Sequence, residues 1–240
     1  MSQTPHATGT VPVESGALPY TLVLPERGHG PGIVLCYEIF GLTEHITQRA
    51  ERLAGLGYVV LVPDFFWRIG PNQVVDERDP DGMRRAMGLG QRLDREKAAA
   101  DGAAALDHLR GLEADQGGAG VFGYCMGGMI AYLIAARAEP DLAILYYPSG
   151  VQEHLEKAAD LHCPTLYEFG GRDQFFPPDI ADRVRQATAG QEATEVRVQP
   201  TGNHAFDNDL VPHLHDAPAA AAAWDDAQAF LRRWLPAGQA

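Results

Sequence analysis

Cysteine is scarce in this 240-residue chain, and basic residues never cluster. The three cysteines, Cys36, Cys125 and Cys163, are too few and odd in number for a disulfide framework. No two form a C-x-x-C pair, so the patterns of a zinc ribbon and of a thioredoxin-type redox pair are missing. Reduced thiols in a cytoplasmic compartment are the expectation. The longest basic runs are the pairs Arg84-Arg85 and Arg232-Arg233, and the formal net charge is −13. Phosphate contacts need clustered Lys and Arg, so nucleic acid is disfavoured as a partner, and anionic membrane surfaces with it. No apolar run approaches the roughly 20 residues that span a bilayer. The polar stretch Met1 to Thr10 lacks the basic and then apolar order of a secretory signal. His213 and His215 stand two apart with no third ligand in view, so no metal site is expected.

What is present describes an ordinary folded protein. Hydrophobic residues make up 45% and charged residues 21%. The length suits one large α/β domain over residues 1–240, and nothing demands more than a monomer. Short apolar runs alternate with longer helical patterns. Strands are expected at Gly32–Tyr37, Tyr58–Val62, Gly120–Gly123, Leu142–Tyr147, Thr165–Phe169 and Glu195–Val198. Helices are expected at Glu44–Leu56, Asp94–Leu112, Gly127–Ala138, Ile180–Ala187 and Ala219–Trp234. This alternation argues for a mainly parallel central sheet with helices on both faces. Two early runs, Val11–Val13 and Tyr20–Leu24, suit an antiparallel hairpin at one edge.

The sharpest motif is Gly123-Tyr124-Cys125-Met126-Gly127, between an expected strand and an expected helix. A nucleophile elbow needs that context, with glycines two residues either side to relieve crowding in the tight turn. The helix start behind Cys125 adds positive potential, which favours thiolate. Asp173 follows one strand in Gly170-Gly171-Arg172-Asp173, and His204 follows the next in Gly202-Asn203-His204. Both loops lie at the carboxyl ends of strands, where open α/β sheets place their sites. The order nucleophile, acid, histidine is that of the α/β-hydrolase fold. In such a triad His204 takes the thiol proton and later protonates the leaving group, while Asp173 fixes the imidazole.

These motifs together resemble the dienelactone hydrolase (carboxymethylenebutenolidase) family. Cys36-Tyr37-Glu38-Ile39-Phe40-Gly41-Leu42 is similar to its loop after an early strand, and Gly57-Tyr58 with Val62-Pro63-Asp64-Phe65 to its next strand and turn. Gly123 to Gly128 resembles its elbow. Gly170 to Pro177 and Gly202 to Phe206 resemble its acid and histidine loops. The likeness runs from about residue 10 to residue 235. It implies that Glu38 contacts the thiol and helps to deprotonate it when substrate binds. It also implies an oxyanion hole from the backbone N–H groups of Ile39 and Met126.

The chain departs from the family at the substrate pocket. The family clamps a substrate carboxylate with two arginines. One position is Asn208 here, and the other, in a helical stretch around residue 83, aligns with Met83. Arg84 and Arg85 are adjacent, but neighbouring helix positions point about 100° apart. Family aromatics one turn on align with Met87 and Gly90. Arg84, Arg85, Phe206 and Asn208 are therefore the candidate substrate contacts of a rebuilt pocket. Phe65, Phe66 and Trp67 read as core, Cys36 and Cys163 as inert small hydrophobes, and His108 and His154 as ordinary helix or loop residues. The expected activity is cofactor-free hydrolysis of a small-molecule ester, lactone or thioester through a cysteine acyl-enzyme. A thiol redox protein and a catalytically silent binding protein of the same fold are the alternatives.

Overall fold

The computed structural model describes residues 6–71 and 73–238, so the first five residues of the polar opening stretch lie outside it. The hairpin forms β1 (His6–Val13) and β2 (Gly16–Val23), joined through Ser15 at φ 68°. Then follow β3 (Gly30–Cys36), α1 (Glu44–Gly55), β4 (Val59–Pro63), α2 (Gly82–Arg92) and α3 (Arg95–Arg110). The second half runs β5 (Asp115–Tyr124), α4 (Met126–Ala138), β6 (Ala143–Tyr146), β7 (Thr165–Gly170), α5 (Ile180–Ala187), β8 (Thr194–Gln199) and α6 (Ala217–Trp234). Two short 3-10 turns, Val151–Glu153 and Leu155–Asp160, separate β6 from β7.

One eight-stranded sheet has the order β1-β2-β4-β3-β5-β6-β7-β8. The pairings β1–β2 and β2–β4 are antiparallel, and all the others are parallel. The central strands β3, β4 and β6 are buried along their whole length, as continuous apolar runs predict for a sheet covered on both sides. Consecutive residues of β5 show both coverings. Gly123 backs directly onto α4, while Tyr124 turns the other way and meets His45 of α1 edge-on. Arg52 of α1 stacks over Trp224 of α6 at 4.0 Å on that second face. The α3 and α6 helices start on Asp94 and Asp216, whose carboxylates accept from the backbone N–H groups of Lys97 and Ala219.

Two departures from the expected elements have local causes. The β5 strand begins at Asp115 rather than Gly120. Gly117 (φ 126°) and Gly118 (φ 93°) give its start an irregular backbone, and the register with β3 shifts there. The α2 helix is a full 11 residues whose glycines, Gly88 and Gly90, break the propensity signal; it is held by Ala86 and Leu89 in the core. Phe65 and Phe66 are buried in the core as expected, and Trp67 donates its indole N–H to Asp101.

Candidate active site

Five neighbouring strands end at one edge of the sheet, and the loop after each supplies one side chain to the same place. Glu38 follows β3, Cys125 follows β5, Ser149 follows β6, Asp173 follows β7 and His204 follows β8. The elbow at Cys125 has φ 54° and ψ −116°, a conformation side chains rarely adopt. The turn closes because its flanking glycines allow it. A Cβ on Gly123 would run into the Gly127 carbonyl, and one on Gly127 into the Cys36 carbonyl. The His204 loop must reach back across β7 to arrive at Cys125. Gly170 and Gly171 provide the clearance: a Cβ on Gly170 would lie 2.5 Å from the Gly202 carbonyl oxygen, and one on Gly171 2.8 Å from that of Pro200.

Cys125, His204 and Asp173 form one hydrogen-bonded line. His204 Nδ1–H donates to Asp173 Oδ2 at 2.7 Å, and Nε2 lies 3.1 Å from Cys125 Sγ. The other Asp173 oxygen accepts from the Phe175 N–H at 2.8 Å, which fixes the carboxylate. Burial disfavours the imidazolium, but the charges of Cys125 and Asp173 outweigh it and push His204 up to about 10. The imidazole is packed by Phe175 at 4.8 Å and Tyr147 at 5.2 Å between ring centroids. Beyond it, Arg49 of α1 donates to the Asp207 carboxylate and to the Asp207 carbonyl, each at 2.6 Å, and ties the histidine loop to the body of the protein.

Glu38 is buried at the same cavity, but its hydrogen bond goes to Asn208 and not to the thiol that the resemblance implies. Its Oε2 accepts from Asn208 Nδ2 at 2.8 Å, and the same amide nitrogen donates to Glu77 Oε1 at 2.9 Å. Asn208 Oδ1 is occupied by the Leu210 N–H, so the amide orientation is settled by its partners. Burial raises Glu38 to about 7, against the Asn208 hydrogen bond, and the nearby Glu77 adds to the rise.

A cavity of about 470 Å³ opens over this line, with Glu38, Ile39, Cys125, Met126, Ser149 and His204 along it. The backbone N–H of Met126 heads α4 there, and Ile39 also lines the cavity. Met83, Met87 and Phe175 form an exposed apolar mouth. The structure revises the expected substrate contacts. Arg84 and Arg85 turn to the surface acids Asp81 and Asp79 and do not line this cavity, because they lie off the Met83–Met87 face of α2. Phe206 is wholly buried against Tyr146 and Tyr147 beneath the histidine loop. Asn208 is wholly buried on the two glutamates rather than facing substrate. Arg95 and Ser149 are among the lining residues that the sequence did not point to. Arg95 opens α3 and lies over the backbone of Gly150, where a Cβ would come within 2.7 Å of its guanidinium. Ser149 Oγ is 3.3 Å from Cys125 Sγ. Ser149 follows a strand end as Asp173 does, so its placement rule was available in the sequence. His213 lines the cavity, and no cluster of metal-ligating side chains occurs among the described residues.

Comparison with known proteins identifies the family and the fold. The model of the dienelactone hydrolase family matches residues 18–235. A carboxymethylenebutenolidase of Pseudomonas sp. (strain P51) is 30% identical over 217 residues, covering 90% of each chain. Another, from Pseudomonas putida, is 30% identical over 182 residues, 76% of this chain and 77% of its own. A crystal structure from Klebsiella pneumoniae, provisionally named a dienelactone hydrolase, superposes with a TM-score of 0.80 at 25% identity over 96% of this chain and all of that one. The dienelactone hydrolase of Anabaena variabilis shares the fold at 18% identity, with a TM-score of 0.72 over 98% of this chain and all of its own. With sequence and structure matched over nearly its whole length, the chain belongs to the dienelactone hydrolase family, in the α/β-hydrolase fold.

Proposed function

We propose that this hydrolase cleaves a carboxylic ester, lactone or thioester through an acyl-enzyme on Cys125. The observation that carries the reading is the continuous Cys125–His204–Asp173 line opening into a cavity. The Cys125 thiolate attacks the carbonyl carbon, and the oxyanion is received by the N–H groups of Met126 and Ile39. His204 gives its Nε2 proton to the leaving oxygen or sulfur as that bond breaks. Water then attacks the thioester, His204 takes its proton, and the thiolate departs with the acid released. Asp173 holds the imidazole and balances its charge. Glu38 governs proton traffic at the thiol as its protonation changes near pH 7. Residues 1–240 are read as one catalytic domain acting as a monomer. The three free, buried cysteines fit a reducing cytoplasm.

The pocket favours an apolar, uncharged substrate. Two clamping arginines would each contribute about 1.5–3 kcal/mol to a carboxylate. Their positions hold Met83 and the buried Asn208, and a half-buried Arg95 supplies roughly 0–1 kcal/mol instead. The test is a hydrolysis screen over lactones, aryl esters and thioesters beside Cys125→Ala. Wild-type turnover with none in Cys125→Ala is expected, and a methyl ester should match or exceed its free acid in kcat/KM. Full activity in Cys125→Ala ends the cysteine mechanism. A hundredfold preference for the acid ends the pocket reading. Failure on every substrate returns the chain to a binding or redox role.

A further inference from the structure

The turn after β6 is fastened to the elbow on both sides. Cys125 N–H donates to the Tyr146 carbonyl at 3.0 Å, and Ser149 N–H donates to the Cys125 carbonyl at 3.0 Å. The α4 helix presses on this turn as well, since a Cβ on Gly128 would lie 2.9 Å from the Tyr146 oxygen and 3.0 Å from Pro148 Cα. Ser149 is therefore held in place against Cys125 by the backbone itself. Its hydroxyl closes a triangle with the two groups in the cavity. Oγ is 3.3 Å from Cys125 Sγ and 3.4 Å from His204 Nε2, and Sγ is 3.1 Å from Nε2.

The bonds around that triangle differ in strength between its two protonation states. In the neutral state the S–H can donate to Ser149 Oγ and the O–H to Nε2, but both bonds join neutral groups and a thiol is a weak donor. In the charge-separated state Nε2 carries a hydrogen and can no longer accept. The serine O–H then turns to the thiolate, and Nε2–H points between Sγ and Oγ. Every hydrogen finds an acceptor, and the thiolate receives two donors, both in charge-assisted bonds.

We propose that Ser149 is a further catalytic residue, whose hydroxyl donates to the Cys125 thiolate and shifts the Cys125–His204 pair toward its charge-separated form. This rests on Cys125 as the nucleophile, and its effect falls on acylation. Once Sγ is part of a thioester it holds no charge for the hydroxyl to stabilise, so the attack of water proceeds without this help; the thiolate re-forms only afterwards, and as a better leaving group than hydroxide its departure is not the slow step.

The experiment compares Ser149→Thr with Ser149→Val. Both side chains are β-branched and fill the same space, so any disturbance of the turn is shared and the difference reports the hydroxyl. Alkylation of Cys125 is followed against pH by mass spectrometry of its peptide, and single-turnover kinetics on an activated aryl ester separate acylation from deacylation. In the Val variant the alkylation midpoint is expected to rise by about one pH unit and acylation to fall roughly tenfold, the scale of one hydrogen bond to a charged group. Deacylation should stay within about twofold, and the Thr variant should recover most of both losses. Equal midpoints and equal acylation rates in the two variants overturn the proposal. The midpoint is read on the thiol and needs no turnover. A shifted midpoint in a protein that hydrolyses nothing would refute the hydrolase reading and leave the Ser149 contact standing.

Discussion

Asn208 holds two carboxylates with one amide. Its Nδ2 hydrogens go to Glu38 and Glu77, and its oxygen is spent on Leu210. The Asn208 hydrogen bond is what holds the Glu38 carboxyl down against burial. Asn208→Ala should therefore raise the Glu38 midpoint above about 7, shift the matching limb of the kcat/KM–pH profile upward, and cost about 1–3 kcal/mol for two orphaned acceptors. An unmoved pH limb would show that Glu38 does not titrate in that profile. Residues of this kind explain what the sequence concealed. The hydrogen-bonded line through Cys125, His204 and Asp173 was legible because those residue types stand in that order, each shortly after a strand. Asn208 and Phe206 were taken for substrate contacts because which way a loop side chain turns is decided by packing partners distant in sequence. For Asn208 these are Glu38 and Glu77, and for Phe206 they are Tyr146 and Tyr147. Arg95 escaped notice because its approach to the cavity depends on how α3 docks beside Gly150.

At the scale of elements, the buried strands were legible from their apolar runs, and the hairpin from two short runs with a turn between them. The α2 helix emerged only through resemblance, because Gly88 and Gly90 depress its helical signal while Ala86 and Leu89, too few to make a stripe, hold it down. The most consequential contact between elements is the crossing of the His204 loop over Gly170. Gly170→Ala places a methyl 2.5 Å from the Gly202 oxygen and 2.6 Å from that of Asn203. The loop must lift, and His204 with it. The expected outcome is a loss of about 1–3 kcal/mol in stability and of at least roughly tenfold in kcat, with KM changed little. Thermal unfolding and steady-state kinetics measure both, and an unchanged kcat would mean that the loop has slack here.

For the whole molecule, buried ionisable groups set how stability varies with pH. Burial raises Glu168, on β7 beside the edge strand β8, to about 8, and Glu38 to about 7. Each keeps a proton that the unfolded chain has already lost, so stability falls as pH rises from about 4.5 through 8. His204, raised to about 10, contributes stability that is complete below pH 6.5 and is lost toward pH 10. His45, pushed down by burial to about 3, acts in the opposite sense: its contribution is present above 6.5 and is lost as the pH falls toward 3. Stability should therefore peak on the acid side of neutrality and decline by pH 9. Glu168→Gln keeps the shape and the contact with Gln199 but removes the charge. It should raise Tm at pH 9 by several degrees, for about 2 kcal/mol, and leave Tm at pH 5 nearly unchanged. An equal alkaline decline in both proteins would exclude Glu168 as a cause.

Glu38, Cys125, Ser149, Asp173 and His204 each follow a different strand, and the five strands are consecutive across the sheet. The spacing of the groups is thus inherited from the strand pitch of about 4.8 Å, a property of backbone ladders rather than of any one side chain. The two ends of the strands are consequently under different geometric constraints. At the reacting end, every loop length is a coordinate of the site. At the opposite end, connections such as the α5–β8 turn at Gly190, where a Cβ would meet nothing within 4 Å, carry no such information. There the chain can lengthen, accept a fused partner or be cut, and the ladder still delivers the five groups at the same intervals.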